Sequence, residues 1–227
     1  MASPRGAVVF DIDGTLLDSV DQHARAWVEA FAHFGIQAEE AEVRRQIGKG
    51  GDQLLPVFVD PDRLAREGET IEAYRSDLFK RRYLDQVRPF PGVRALLAHL
   101  REDGLTVALA SSGKASEVEH YQKILGIEDL VDAVTSADDA DRSKPHPDIF
   151  EAVLRKIPDC PKESVIAVGD TPYDAEAAGR AGLATIGVLC GGFPEADLSA
   201  AGCIAIYRDL QDLLDGYAQA PFSVKKL

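Results

Sequence analysis

Short apolar runs rich in β-branched residues recur along the chain, each ending in small or acidic residues: Ala7–Asp13, Leu105–Ser112, Val131–Ser136, Ser164–Asp170, Ala184–Cys190 and Cys203–Tyr207. Runs this short and this continuously apolar are expected of strands covered on both faces, as in a parallel sheet. Between them apolar residues fall at helical spacing, as in Val93, Leu96, Leu97 and Leu100 before Gly104, and Phe150, Val153, Leu154 and Ile157 before Pro158. Alternation of the two predicts an α/β fold, a doubly wound, Rossmann-like parallel sheet with its ligand site at the carboxyl ends of the strands. Residues 17–87 break the alternation. They hold no good strand, and their apolar positions repeat at three and four: Val20, Ala24, Trp27, Phe31 and Phe34 between an Asp18 or Ser19 cap and Gly35, then Ile71, Tyr74 and Leu78 before Tyr83. An inserted all-helical domain is expected over 17–87, with a core built from 1–16 and 88–227. Leu16–Ser19 and the stiff Arg88-Pro89-Phe90-Pro91-Gly92 stretch form its two-strand hinge.

Composition narrows the partners. With 45% hydrophobic and 28% charged residues the chain is of ordinary globular type, and no segment offers the ~18 uninterrupted apolar residues of a membrane helix. Met1–Gly6 lacks the apolar stretch of a secretory signal, so a cytoplasmic location is expected. Cys160, Cys190 and Cys203 are widely spaced, with no CxxC, and read as free thiols. A net charge of −13, with Lys80-Arg81-Arg82 as the basic run, argues against a nucleic-acid partner. It leaves room for an anionic small molecule, because a bound divalent cation and a few lysines set the local field. A monomer or weak homodimer is expected.

Four strand ends carry chemistry. Val8–Leu16 ends an apolar strand in Asp11 and Asp13, two residues apart and so on one side of an extended chain. Close carboxylates of this kind suit a divalent metal or a nucleophile paired with an acid/base, and Gly14 permits a sharp exit. Alone, such a pair is as well explained by solvated turn carboxylates. Ser111-Ser112-Gly113-Lys114 places a hydroxyl and then backbone amides after a strand, a cradle for phosphoryl oxygens or an ordinary helix cap. Lys144, in Ser143-Lys144-Pro145-His146-Pro147, sits in a proline-stiffened loop where it could neutralise a nucleophile and a transferring group. Asp170, closing Val165–Gly169, is placed to ligate a hard cation, with Asp174 as its outer support or as a first-turn helix acid.

In order and spacing, DIDGTLLDS, ALASSGK, SKPHPDIF and GDTPYDAEAAGRAG resemble the four motifs of the haloacid dehalogenase-like hydrolase superfamily across nearly the whole chain. The helical insertion after the first motif is similar to the subgroup holding phosphoglycolate phosphatase and beta-phosphoglucomutase. The resemblance implies that Asp11 attacks phosphorus and that Asp13 protonates the leaving oxygen and later deprotonates water. It implies Mg²⁺ bound by the Asp11 carboxylate, the Asp13 backbone carbonyl and Asp170, with Asp174 in the outer shell. Ser111 and Lys144, with the neighbouring Ser112 and Gly113, would hold the phosphoryl group. The second aspartate argues against a haloacid dehalogenase proper, which acts on carbon.

Within the subgroup, His23 matches a cap histidine near the active site of sugar-phosphate enzymes, or is a polar residue flanking a core helix. Ile47-Gly48-Lys49-Gly50-Gly51-Asp52 lacks the Ser-Arg pair of the mutases and looks like the glycine-rich loop of phosphoglycolate phosphatase-type enzymes. Hydrolysis of a small phosphomonoester is therefore expected ahead of isomerisation, although Ser-Ser-Gly-Lys departs from the Thr-Asn-Lys of phosphoglycolate phosphatases. Lys49 becomes the residue expected to meet the distal part of the substrate. Two non-enzymatic alternatives are a KH-type RNA-binding module, from the Gly48–Gly51 loop, and a phospho-acceptor receiver domain. A receiver needs only about half this length and no helical insertion.

Overall fold

The computed structural model describes residues 6–222, so Met1–Arg5 of the leader reading lie outside it. Strands β1 (Ala7–Phe10), β2 (Leu17–Asp18), β3 (Arg88–Pro89), β4 (Thr106–Ala110), β5 (Ala133–Thr135), β6 (Val165–Gly169), β7 (Ala184–Val188) and β8 (Ala205–Tyr207) include all six of the strands expected, each trimmed at one or both ends. Six of them form one parallel sheet in the order β5-β4-β1-β6-β7-β8. Successive side chains of β1 point to opposite faces. Val8 and Phe10 pack with Leu96, Leu97, Leu100 and Leu213, whereas Ala7 and Val9 pack with Ile149, Phe150, Val153 and Ala178. Both faces are thus covered by helices, as the uniformly apolar strands require.

The chain builds β4 and β5 on one side of β1 and β6, β7 and β8 on the other. A crevice therefore opens where the winding reverses. Phe10 lies opposite Leu109 of β4 and Val168 of β6, so the three central strands end nearly level.

Four helices, α1 (Val20–His33), α2 (Glu40–Arg44), α3 (Gly51–Phe58) and α4 (Pro61–Arg82), occupy the stretch between β2 and β3. Their apolar faces, including Val20, Trp27, Phe31, Leu54, Leu55 and Ile71, form a core of their own. Asp60 caps α4 by accepting the Arg63 amide, and Pro61 starts it. The connection back to the sheet is the antiparallel pair β2–β3, with Leu17 opposite Pro89 and Asp18 opposite Arg88. The remaining helices are α5 (Val93–Glu102), α6 (Ala115–Leu125), α7 (Asp148–Lys156), α8 (Pro172–Arg180), α9 (Glu195–Ala200) and α10 (Leu210–Asp215).

Two local expectations change. The first strand stops at Phe10, because the Ile12 carbonyl then receives the amides of Thr15, Leu16 and Leu17 in a tight turn through Gly14 at φ +87°. Asp11 and Asp13 thus leave a turn rather than one strand face. Ser19 does stand at the N-terminus of α1, but its hydroxyl makes no cap; it donates to Asp13 Oδ1 at 2.6 Å instead.

Candidate active site

At the level ends of β1, β4 and β6 the sheet delivers its acids. Asp11 follows β1 and Asp170 follows β6, and both are almost fully buried, as is Asp174 in the first turn of α8. One carboxylate oxygen from each of the three lies within 4.8 Å of the others. Lys144, 0% exposed, reaches into this group from the loop before α7. Its Nζ lies 2.5 Å from Asp11 Oδ1 and 2.8 Å from Asp174 Oδ1, and it donates to the Ala110 carbonyl at 2.9 Å. The Thr15 hydroxyl sits between Asp170 Oδ1 (2.9 Å) and Asp11 Oδ2 (3.2 Å). Asp174 is both cap and support: Oδ2 accepts the Thr171 amide and hydroxyl in a capping box while Oδ1 pairs with Lys144.

Three buried carboxylates against one ammonium leave negative charge uncompensated. Burial, only partly offset by Lys144, pushes the Asp11 carboxyl up to about 7. Burial together with the charges of Asp11 and Asp174 raises Asp170 far above the usual carboxylate range. Asp170 Oδ2 is enclosed with no hydrogen-bond partner, and a Cβ on Gly191 or Gly14 would come within 1.7 Å or 2.3 Å of it. Such an oxygen-only set, with one orphaned buried carboxylate oxygen, fits a hard divalent cation.

The sign of the coupling gives a test. From about 3.8, the ordinary value, to about 7 the native state holds a proton on Asp11 that the unfolded chain has released, so stability of the metal-free protein falls as pH rises through that window. A Mg²⁺ ion bound at these oxygens would compete with that proton and relieve the repulsion. The increase in melting temperature on adding Mg²⁺ is therefore expected to grow from about pH 5 to about pH 8. A melting temperature indifferent to Mg²⁺ at every pH would count against a cation here.

Asp13 lives in a different environment. Ser19 and His23 Nε2 (2.9 Å) both meet its Oδ1, and His23 Nε2 also lies 3.1 Å from the Tyr121 hydroxyl. Arg75 Nη2 lies 2.9 Å from His23 Nδ1. A guanidinium has no lone pair to offer, so Nδ1 accepts and Nε2 carries the proton that faces Asp13. The ring is further fixed by stacking on Phe79 at 4.0 Å. Burial raises the Asp13 carboxyl, but His23, Ser19 and Arg75 outweigh it and hold it below its ordinary range. Asp13 Oδ1 is engaged by Ser19 and His23 and its carboxylate is not part of the triad; the role that the resemblance implies at the metal is that of its backbone carbonyl.

Ser111 follows β4, and its Oγ accepts the Gly113 amide at 3.0 Å, while Asp138 accepts that of Ala115. The predicted run of amides is thus partly spoken for. Ser112 Oγ lies 3.4 Å from the Gly48 carbonyl. The glycine-rich loop packs its backbone onto the sheet end: a Cβ on Gly48 or Gly50 would collide with Thr171 or Ser143, and Asp52 accepts the Ser143 amide. Lys49 reaches the same space, but its ammonium is held by Gln46 at 2.6 Å and lies over the Tyr173 ring.

Together these residues enclose a cavity of about 290 Å³, lined by Asp11, Asp13, His23, Lys49, Ser112 and Gly113. Every residue singled out in the sequence thus lies in or beside one site. Glu72, Arg75, Ser76 and Glu117 also line it and were not singled out. On α4 the first three fall at spacings of three and one, a polar helix face indistinguishable by pattern from a solvated one. Thr15, two residues after Asp13, was missed too, although its place in the motif was a usable signal.

Buried acids at the switch point of a doubly wound sheet, served by one lysine, define an aspartate-based enzyme site. Known proteins of similar sequence include phosphatases. A phosphoglycolate phosphatase of Yersinia pestis is 34% identical over 189 residues, 81% of each chain. A fructose-1-phosphate phosphatase of Escherichia coli is 30% identical over 192 residues, 80% of this chain and 95% of its own. The crystal structure of a hydrolase from Pseudomonas syringae superposes with a TM-score of 0.85 at 30% identity, covering 95% of this chain and 99% of that one. Residues 8–188 match the model of the haloacid dehalogenase-like hydrolases, and the chain belongs to that family. The match includes the Gly48–Gly51 loop, which sets the KH and receiver alternatives aside. Among the described residues no helix is long and apolar enough to cross a membrane.

Proposed function

We propose that the protein is a Mg²⁺-dependent phosphatase that hydrolyses a small phosphomonoester through an aspartyl-phosphate on Asp11, with the helices of residues 17–87 acting as a cap over the site. The observation that carries this reading is the divergence of the two aspartates of one turn: burial drives Asp11 up, while His23, Ser19 and Arg75 draw Asp13 down. Two carboxyls in opposed environments are suited to two roles. Asp11 attacks phosphorus in line, forming an O–P bond as the ester P–O bond breaks, and Asp13 delivers a proton to the leaving oxygen. Asp13 rests as a carboxylate, so it first takes up a proton from solvent as the arriving phosphoryl dianion raises its proton affinity, and it is this proton that it delivers. It then takes a proton from water, whose oxygen attacks phosphorus and releases Asp11 and inorganic phosphate. Lys144, fixed by Asp174, balances charge on Asp11 and on the phosphoryl oxygens, and Ser111 donates to the latter. Held by Asp11, Asp170 and the Asp13 carbonyl, Mg²⁺ would supply electrostatic polarisation of the phosphoryl group.

The relatives' names include phosphoglycolate and fructose 1-phosphate, whose leaving groups are chemically unlike, so they leave the leaving group of this chain undecided. The test is phosphate release from a panel of phosphomonoesters with Mg²⁺ and after chelation. Turnover is expected with Mg²⁺, falling at least about 100-fold on chelation and returning on readdition. Full activity without a divalent cation, or none on any ester with one, would overturn the reading.

A further inference from the structure

Glu117 lies in the first turn of α6 and is only 3% exposed, yet it lines the cavity shared by Asp11 and Asp13. A buried carboxylate is retained when its lone pairs are met. Among the described residues its hydrogen bond is from the Ser76 hydroxyl to Oε1, at 2.9 Å. Oε2 has no such partner. Its position is informative: a Cβ built on Gly113 would lie 3.5 Å from Glu117 Oε2 and 3.2 Å from Ser111 Oγ. The missing side chain at Gly113 therefore leaves open the space between the Ser111 hydroxyl, where the phosphoryl group is expected, and the free oxygen of Glu117.

The other charges of the cavity are unequal in their freedom. Lys49 is held by Gln46 and Tyr173. Arg75 is held by His23 Nδ1 and lies over Trp27 and Phe79, and its Nε is enclosed away from solvent. Lys114 is exposed at the rim, beside the equally exposed Asp138 and Asp141. Glu72, half-buried, joins Glu117 as a second carboxylate of the lining. Arg75 keeps further N–H groups, but acids outnumber cations among the lining residues, and Glu117 adds an unused acceptor oxygen. A carboxylate on the far end of a substrate would meet like charge there, whereas a hydroxyl or an ammonium would complete Glu117.

Resting on the phosphatase reading above, we propose that Glu117 is the residue that selects the leaving group. Its Oε2 accepts a hydrogen bond from a hydroxyl or ammonium of the ester, and the enzyme prefers donor-bearing leaving groups to carboxylate-bearing ones. Lys49, expected from the sequence to meet the distal part of the substrate, is in this reading a brace between the glycine-rich loop and Tyr173.

The experiment uses alkyl phosphates of two to four carbons carrying at the far carbon a methyl, hydroxyl, ammonium or carboxylate group. For the intact chain with Mg²⁺, kcat/KM is expected to be highest for a hydroxyl or ammonium ester and lowest for the carboxylate. In Glu117→Gln, of the same size and still able to accept from Ser76, the advantage of the best donor ester over its methyl counterpart is expected to shrink about 10- to 100-fold. A larger loss for ammonium than for hydroxyl identifies an amine ligand; the reverse identifies a hydroxyl. The carboxylate ester should gain relative to methyl as the repelling charge goes. Equal losses on all four series would show a structural role and overturn the proposal, as would a wild-type preference for the carboxylate. An unchanged donor advantage in Glu117→Gln would do so too. Glu117→Ala, assayed in parallel with its melting temperature, separates loss of fold from loss of selectivity. Wild-type inactivity on every series would instead strike the phosphatase reading itself.

Discussion

Asp11→Asn is expected to lose turnover of every ester by on the order of 10⁴-fold or more, because a carboxamide oxygen does not form the covalent phospho-intermediate. The fold should persist. The substitution deletes a buried carboxylate whose proton affinity is already raised by burial, and Lys144 keeps Asp174 as its partner at 2.8 Å. Asn also removes repulsion with Asp170 and Asp174, so metal-free Asp11→Asn should be at least as stable at neutral pH as the metal-free wild type. Stopped-flow or endpoint phosphate release gives the first quantity, and chemical denaturation gives the second. Trapping with a slow ester should label the wild type with phosphate in a base-labile bond and leave the variant unlabelled. Near wild-type turnover in Asp11→Asn would falsify covalent catalysis at this position.

Lys144→Met should have the largest effect on stability. Methionine fills much of the same volume, but the ammonium that stands among Asp11, Asp174 and the Ala110 carbonyl is gone, and the carboxylates are left buried without a counter-charge. Breaking a buried pair in this way costs about 3–5 kcal/mol. The pH dependence distinguishes this from a packing defect. Carboxyls whose proton affinity is raised in the folded state take up protons as pH falls, so the deficit should be full above neutrality and shrink towards about pH 5. Mg²⁺ should recover part of it at high pH. Urea midpoints at two pH values, with and without Mg²⁺, measure all of this, and a deficit independent of both would place the loss in packing instead.

Much of this was legible before any coordinates. The six sheet strands announce themselves because a strand covered on both faces has no reason to alternate, and their acidic or hydroxylated ends follow from where a doubly wound sheet binds. The order of Asp11, Ser111, Lys144 and Asp170 along the chain carried the site's inner group. Other features were hidden for physical reasons. Whether Asp11 and Asp13 share an environment depends on a turn closed by three amides on one carbonyl, and a two-residue spacing says nothing of that. Ser19 looks like a cap because serine before an apolar helical run usually is one; its hydroxyl was diverted by a carboxylate six residues earlier. Arg75, Ser76 and Glu117 were invisible because a polar or charged residue on a helix is by default solvated. Only the approach of α4 and α6 across the cavity turns them inward. Lys49 was found at the site, but its ammonium proved to be engaged within the chain.

The arrangement around Asp13 bears on how such a chain can be recombined. Asp13 belongs to the segment that leaves the sheet, yet Ser19, His23 and, behind His23, Arg75 are supplied by α1, its entry and α4, on the far side of the β2–β3 pair. A hybrid spliced at that pair would carry a core aspartate from one parent and its tuning from the other. The helical stretch is therefore not a detachable specificity cassette. On the proposed mechanism, drift at position 19, 23 or 75 would alter proton delivery by Asp13, and so tie the history of the helices to that of the sheet they cover.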